Sequence, residues 1–273
     1  MIKNIIIILL FNYLLSYVEQ PMNGIELAIL IENRIKPDDI KSTNTMTITN
    51  KKGRKKTLQL VTKSKDNSKR QMIWFLSPPD DKGMSFLKIE QGGGEDDFMK
   101  MWLPGFKKFR RIASSKKSNS FMGSDISFED LTNRNINDYS YKLISSKSEC
   151  EYKSTKTSCY ELESIPENIN SQYSKHITWV IQENDTYLAI KESSFDKDGQ
   201  LLKIKSIEFE QITYNQESDS AIINSSKYFY IMNKLDIKNV QKNTSTSLVV
   251  NDISINLGIE DKDFNEMNLK RLP

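Results

Sequence analysis

The chain has 273 residues, with 39 basic against 36 acidic side chains, a formal net charge of +3, one His and two Cys. The single His, His176, excludes multi-His metal sites, and two Cys exclude zinc ribbons and dense disulfide scaffolds. Near-neutral charge gives no general reason to expect a nucleic-acid partner.

Lys3 precedes the run Ile5-Ile6-Ile7-Ile8-Leu9-Leu10-Phe11, which resumes at Tyr13-Leu14-Leu15 and is ended by Glu19 and Pro21. A positive end followed by about ten apolar residues is the pattern of a secretory signal peptide. The run is too short for a membrane span. Residues 1–19 are therefore expected to be a signal peptide, cleaved between Ser16 and Gln20, and residues 20–273 the exported domain. The alternative is an uncleaved N-terminal anchor.

Asn23-Gly24-Ile25-Glu26 reads as an N-cap with an acidic residue three positions on. Ile25, Ala28, Ile31 and Ile35 follow at helical spacing until Lys36-Pro37. From there the period is two. Met46 and Ile48 alternate, as do Leu58 and Leu60, then Ile177, Trp179 and Ile181, then Leu248 and Val250. Roughly eleven such segments, separated by turn signals, predict one large, curved antiparallel sheet or barrel. Met72-Ile73-Trp74-Phe75-Leu76 is apolar on both faces and needs cover on both sides, or a lipid-like ligand. Ser124 to Leu131 is expected to form a short helix, with Asp125 capping and Phe128 and Leu131 inward.

Cys150 and Cys159 flank a polar insert of hairpin character. In an oxidising compartment a disulfide there would clamp the hairpin base, with about 2–3 kcal/mol of chain-entropy stabilisation. A redox-active pair would call for C-x-x-C spacing, which is missing. Catalytic patterns are weak. Ser120, Ser124, Asp125 and His176 lack a nucleophile-elbow setting. Gly92 to Asp97 lacks the Lys of a phosphate loop and reads as a hairpin tip. No catalytic residue, metal or cofactor is expected.

The middle third carries the motifs: Met101-Trp102-Leu103-Pro104, then Lys107-Lys108-Phe109-Arg110-Arg111, then Ser120-Phe121-Met122-Gly123-Ser124-Asp125. This succession resembles the outer-membrane lipoprotein-sorting family of LolA-like proteins. Tyr173-Ser174-Lys175 before Trp179, Asp198-Gly199 before Lys203, and the ending from Phe264 to Arg271 extend the resemblance over nearly the whole exported chain. Leu103, Met84 and the Cys-flanked insert depart from the family pattern.

The resemblance implies an incomplete antiparallel β-barrel closed by helices around an apolar cavity. It also implies a periplasmic carrier or chaperone for acyl chains of lipoproteins or other lipids. Its partners would be an inner-membrane transporter and an outer-membrane acceptor. A sensor or accessory subunit of an envelope transporter with the same fold is the alternative; no enzyme is expected.

Trp74, Phe75, Phe86, Trp102, Phe121 and Met122 are the candidate cavity residues; each singly reads better as ordinary core, and only as a group on a half-barrel wall do they suggest a pocket. Adjacent residues on a strand face opposite ways, so one of Arg110 and Arg111 is expected inward and one outward. The inward one would lie at the rim with Ser124, Asp125 and Glu129, pairing with a carboxylate or a lipid head group, or holding the following loop as a structural ion pair. The Lys107, Lys108, Lys116 and Lys117 cluster reads as a solvated face, or one that meets anionic lipid or a partner.

Overall fold

The computed structural model describes residues 22–91, 95–214 and 227–273. The expected signal peptide and Gly92–Gly94 lie outside the described residues.

The capping box forms as the sequence predicts: Asn23 Oδ1 accepts from the Glu26 amide at 3.0 Å, and Glu26 accepts from the Asn23 amide at 2.8 Å. It opens α1 (Gly24–Glu32), which buries Gly24, Leu27 and Ala28 with Ile31 packed beside them, and leaves Ile25 exposed. Gly24 is required by close approach, since a Cβ there would sit 2.8 Å from the backbone nitrogens of Lys142 and Leu143. Thirteen strands follow, two or so more than the turn signals delimit. The first six are β1 (Asp39–Thr49), β2 (Lys55–Lys65), β3 (Arg70–Ser77), β4 (Ser85–Ile89), β5 (Phe98–Leu103) and β6 (Lys108–Arg111). Then come β7 (Tyr139–Tyr152), β8 (Thr155–Pro166), β9 (Lys175–Glu183), β10 (Thr186–Phe195), β11 (Leu201–Tyr214), β12 (Lys227–Asn239) and β13 (Thr244–Ile255).

All belong to one sheet in the order β6-β5-β4-β3-β2-β1-β13-β12-β11-β10-β9-β8-β7, each pair antiparallel. The sheet stays open, with β6 and β7 at its two edges. It is nonetheless strongly curled. Asn133 bonds to Glu90 at the end of β4, while its neighbour Arg134 bonds to Glu192 of β10. Those strands are seven intervals apart, roughly 34 Å in a flat sheet at the usual strand spacing. One peptide unit cannot bridge that distance, so the sheet folds around the 121–134 segment.

This segment is the plug of the half-barrel. The expected helix from Ser124 to Leu131 shrinks to a single 3₁₀ turn, Glu129–Leu131. Asp125 does not cap it; its carboxylate accepts from Thr244 at 2.5 Å and Thr246 at 2.9 Å, and its amide donates to Thr246 at 2.9 Å, which ties the plug to β13. Ser124 Oγ donates to the Phe121 carbonyl at 2.6 Å and accepts from the Ile126 amide at 3.2 Å, closing the turn before it. Satisfying buried carbonyls and a sheet carboxylate outweighs helix propensity here.

The doubly apolar β3 is covered on both faces. Inside, Phe75 and Ile73 pack with Phe86, Met99, Met101, Phe121, Ile126 and Phe128. Outside, Met72 and Trp74 pack with Val61, Leu87, Ile259, Phe264 and Leu269 of the C-terminal segment. Trp74 Nε1 donates to the Asn268 carbonyl at 3.3 Å and Ser85 Oγ to that of Leu269 at 2.6 Å.

Candidate functional site

The concave face of β1, β2, β3, β11, β12 and β13, with the plug opposite, encloses a cavity of about 460 Å³. Met46, Leu60, Ile73, Leu235, Leu248 and Val250 line its wall, and Phe121, Ile126 and Leu131 line the plug side. The other end is polar, with Ser42, Asn44, Thr62, Ser64 and Gln71. Asn44 is buried and donates to Ser42 Oγ at 3.0 Å and to Thr62 Oγ1 at 3.1 Å. The cavity is therefore amphipathic along its length.

The six aromatic and Met candidates divide. Phe121 faces the cavity; its ring lies 5.8 Å from Phe75 and 5.2 Å from Phe86, which form the layer beneath it, and Met122 packs on the same cluster. Trp74 and Trp102 belong to the outer cluster and do not reach this cavity. The cause is the period of the strand: Trp74 is adjacent to Phe75, so the two cannot share a face. The Arg pair is also corrected. Arg110 and Arg111 point to opposite faces, paired with Met101 and Lys100, but β6 is an edge strand and leaves both exposed. Neither forms an ion pair with Asp125 or Glu129. Glu129 instead accepts from Ser171 Oγ at 2.6 Å and from the Gln172 amide at 3.1 Å. Cys150 and Cys159 form a disulfide across the β7–β8 hairpin.

Beside the cavity lies an ionic cluster that sequence reading did not find. Asp130 accepts from Lys203 at 2.9 Å, Lys205 at 2.8 Å and the Tyr173 hydroxyl at 2.9 Å. Lys205 also reaches Glu192 at 3.1 Å, and Arg134 grips Glu192 with both guanidinium nitrogens. Burial alone would raise the Asp130 carboxyl, but Lys205 and Lys203 hold it far below the usual carboxylate range. Glu192 is likewise held low against its burial by Arg134 and Lys205. His176 is fully buried, 2.9 Å from Ser194 Oγ, and burial with Arg134 beside it pushes its pKa down to about 3. It is a neutral structural imidazole. The only sequence signal for this cluster is that Lys203, Lys205 and Ile207 share a strand face; its members are otherwise scattered from residue 130 to residue 205.

Asp130 and Lys205 line both the amphipathic cavity and a second, polar one of about 680 Å³ that includes Arg134, Tyr173 and Glu192. Lys88 of β4 is wholly buried. Its ammonium reaches the Leu131 carbonyl and Glu90, each at 2.6 Å, and its pKa is lowered by burial. Among the described residues, no group of three or more His, Cys, Asp or Glu is arranged to hold a metal ion.

No curated protein matches the chain. Solved structures do. A Vibrio parahaemolyticus domain described as a "putative outer membrane lipoprotein-sorting protein domain" is 26% identical, with a TM-score of 0.75 over 91% of this chain and 98% of its own. A DUF1329 family protein from Desulfovibrio piger is 27% identical, with a TM-score of 0.75 over 90% of this chain and 97% of its own. A LolA superfamily protein from Nitrosomonas europaea shares the fold at 16% identity, with a TM-score of 0.61 over 89% of this chain and 96% of its own. A family model described as "-like: Uncharacterized protein" matches residues 67–271. With that match over well more than half its length, and a LolA-like open sheet around a plug, the chain belongs to the DUF1329-like family.

Proposed function

We propose that the chain is an exported carrier or chaperone that holds an acyl chain, of a lipoprotein or another lipid, in the concave cavity. The observation that carries this reading is the amphipathic lining: an apolar wall from Met46 to Val250, and a polar end formed by Ser42, Asn44, Thr62, Ser64 and Gln71. The volume of about 460 Å³ falls in the range of roughly 300–1,000 Å³ typical of small-ligand sites. Met46 and Met232 supply adaptable apolar surface for chains of varied shape. Each buried methylene contributes about 0.8 kcal/mol before the cost of association.

The lipoprotein-sorting description of the Vibrio parahaemolyticus domain supports the same reading, and we place the carrier in the periplasm with residues 1–19 as its export signal. An inner-membrane transporter and an outer-membrane acceptor are the partners such a carrier meets. A carrier needs no catalytic group, and in keeping with that reading Ser120 and Ser124 donate to plug carbonyls, Asp125 is bound to β13, and His176 is buried against Ser194.

Native mass spectrometry of protein purified from an envelope extract tests this. Co-purified lipid or lipopeptide is the expected result, together with saturable uptake of a fluorescent acyl probe that Val250→Trp lowers at least tenfold. A protein that is empty, takes up no probe and retains a membrane partner overturns the carrier reading in favour of an accessory subunit.

A further inference from the structure

Three turns, those joining β1 to β2, β3 to β4 and β5 to β6, lie side by side at one end of the sheet, because every second turn of an antiparallel meander falls at the same end. Contacts confirm the adjacency. Lys56 of β2 pairs with Asp81 of the second turn at 2.7 Å, and a Cβ on Gly83 of that turn would lie 3.5 Å from Pro104 of the third.

Their charge is one-sided. Residues 51–56 read Lys-Lys-Gly-Arg-Lys-Lys, the second turn adds Lys82, and the third adds Lys107 and Lys108. These eight cations, all exposed, face two turn carboxylates, Asp80 and Asp81, and Asp81 is already paired with Lys56. The acidic run Glu95–Asp97 lies before β5, at the other end of the sheet.

The third turn also presents Phe106, 73% exposed, between Pro104 and a left-handed Lys107 at φ 48°. The Lys108 ammonium lies 5.3 Å from its ring centroid. Behind it, the Lys270 ammonium sits 5.2 Å from both Trp102 and Phe109, which continues the alternation of cation and aromatic along the outer face.

We propose that this end of the sheet docks on an anionic lipid bilayer, with Phe106 entering the interfacial layer and the turn cations on the head groups. An aromatic ring on a proline-fixed turn, ringed by Lys side chains with apolar stems, matches the interface of a membrane. A polyanion such as nucleic acid would use the cations but leave Phe106 without a role. The inference is independent of what the cavity holds.

Co-sedimentation of the full chain with vesicles of phosphatidylcholine alone, or mixed 3:1 with phosphatidylglycerol, tests it. Binding to the mixed vesicles alone, released by high salt, is expected. Lys107→Ala with Lys108→Ala should weaken binding more than tenfold, at about fivefold for each cation removed. Phe106→Ser should weaken it at least threefold without changing the salt dependence. Lys142→Ala with Lys147→Ala, exposed on the opposite edge strand, should leave it unchanged. Equal binding to neutral vesicles, or binding indifferent to Phe106 and to the turn cations, overturns the proposal. Acyl-probe uptake by the same variants should be unaltered, which separates this result from the carrier reading.

Discussion

The Lys205 ammonium lies 2.8 Å from Asp130 Oδ1, and this pair stands on the shared boundary of the amphipathic cavity and the polar one beside it. It joins the plug to β11 with both side chains nearly buried.

Removing Asp130 leaves Lys203 and Lys205 as buried cations without this counter-charge. Asp130→Ala should destabilise the fold by about 3–5 kcal/mol in urea unfolding. Adding Lys203→Met should recover part of that loss, because it removes one of the stranded charges. A cost below about 1 kcal/mol for the single variant would mean that water reaches the two ammonium groups.

Acid sensitivity should begin near pH 6.5. The folded His176 pKa is pushed down to about 3, against about 6.5 in the unfolded chain. Its contribution is complete above pH 6.5. As pH falls towards 3, the unfolded state takes up the proton first and stability declines, by up to about 1.4 kcal/mol per pH unit. Asp130 and Glu192, both held below the usual carboxylate range, add further loss below about pH 4. Thermal melts from pH 7 to pH 4 should show the decline, and His176→Gln should flatten it above pH 4.

The β7–β8 hairpin is held down at its tip. The Tyr152 hydroxyl accepts from the Phe209 amide at 3.0 Å, at the bulge between Glu208 and Phe209 in β11. Tyr152→Phe should cost about 1–3 kcal/mol by leaving that amide unpaired. Cys150→Ser with Cys159→Ser should cost about 2–3 kcal/mol by freeing the short loop in the unfolded state. Hydrogen exchange at Phe209 should rise in the first variant.

Inner and outer aromatics should separate by readout. Phe121→Ala should lose about 3–5 kcal/mol and lower acyl-probe uptake, since the ring is both core and cavity wall. Trp74→Ala should lose stability by a similar amount, yet its folded fraction should take up probe normally. Impaired uptake by folded Trp74→Ala would place the ligand elsewhere.

Much of this was legible in the sequence because it depends on neighbours along the chain. The α1 capping box, the strand alternation, the Cys hairpin and the two-faced β3 are all set within a few residues. The division of Trp74 from Phe75 was legible too, since adjacent strand residues face apart, although which face is concave depends on long-range pairing. The ionic cluster was not legible. Asp130, Arg134, Glu192, Lys203 and Lys205 meet only because the sheet curls, and each alone has the composition of a solvated surface. The plug geometry was hidden for a related reason: Asp125 is satisfied by Thr244 and Thr246 on a strand more than a hundred residues away.

The two edge strands, β6 and β7, share no ladder of backbone hydrogen bonds. The curl is held by the packing of Phe121, Ile126 and Phe128 against the inner apolar cluster, and by side-chain clasps on the 121–134 segment: Lys88 to Leu131, Asp125 to Thr246, Asp130 to Lys205, and Arg134 to Glu192. Widening the half-barrel therefore breaks no strand pairing. It requires that Phe121 and Phe128 part from Phe75 and Phe86, and that charged and polar clasps exchange partners, which water or an incoming amphiphile can replace. The polar clasps are the part of this closure that pH and charge can reach, beside apolar packing and a continuous strand ladder that they cannot.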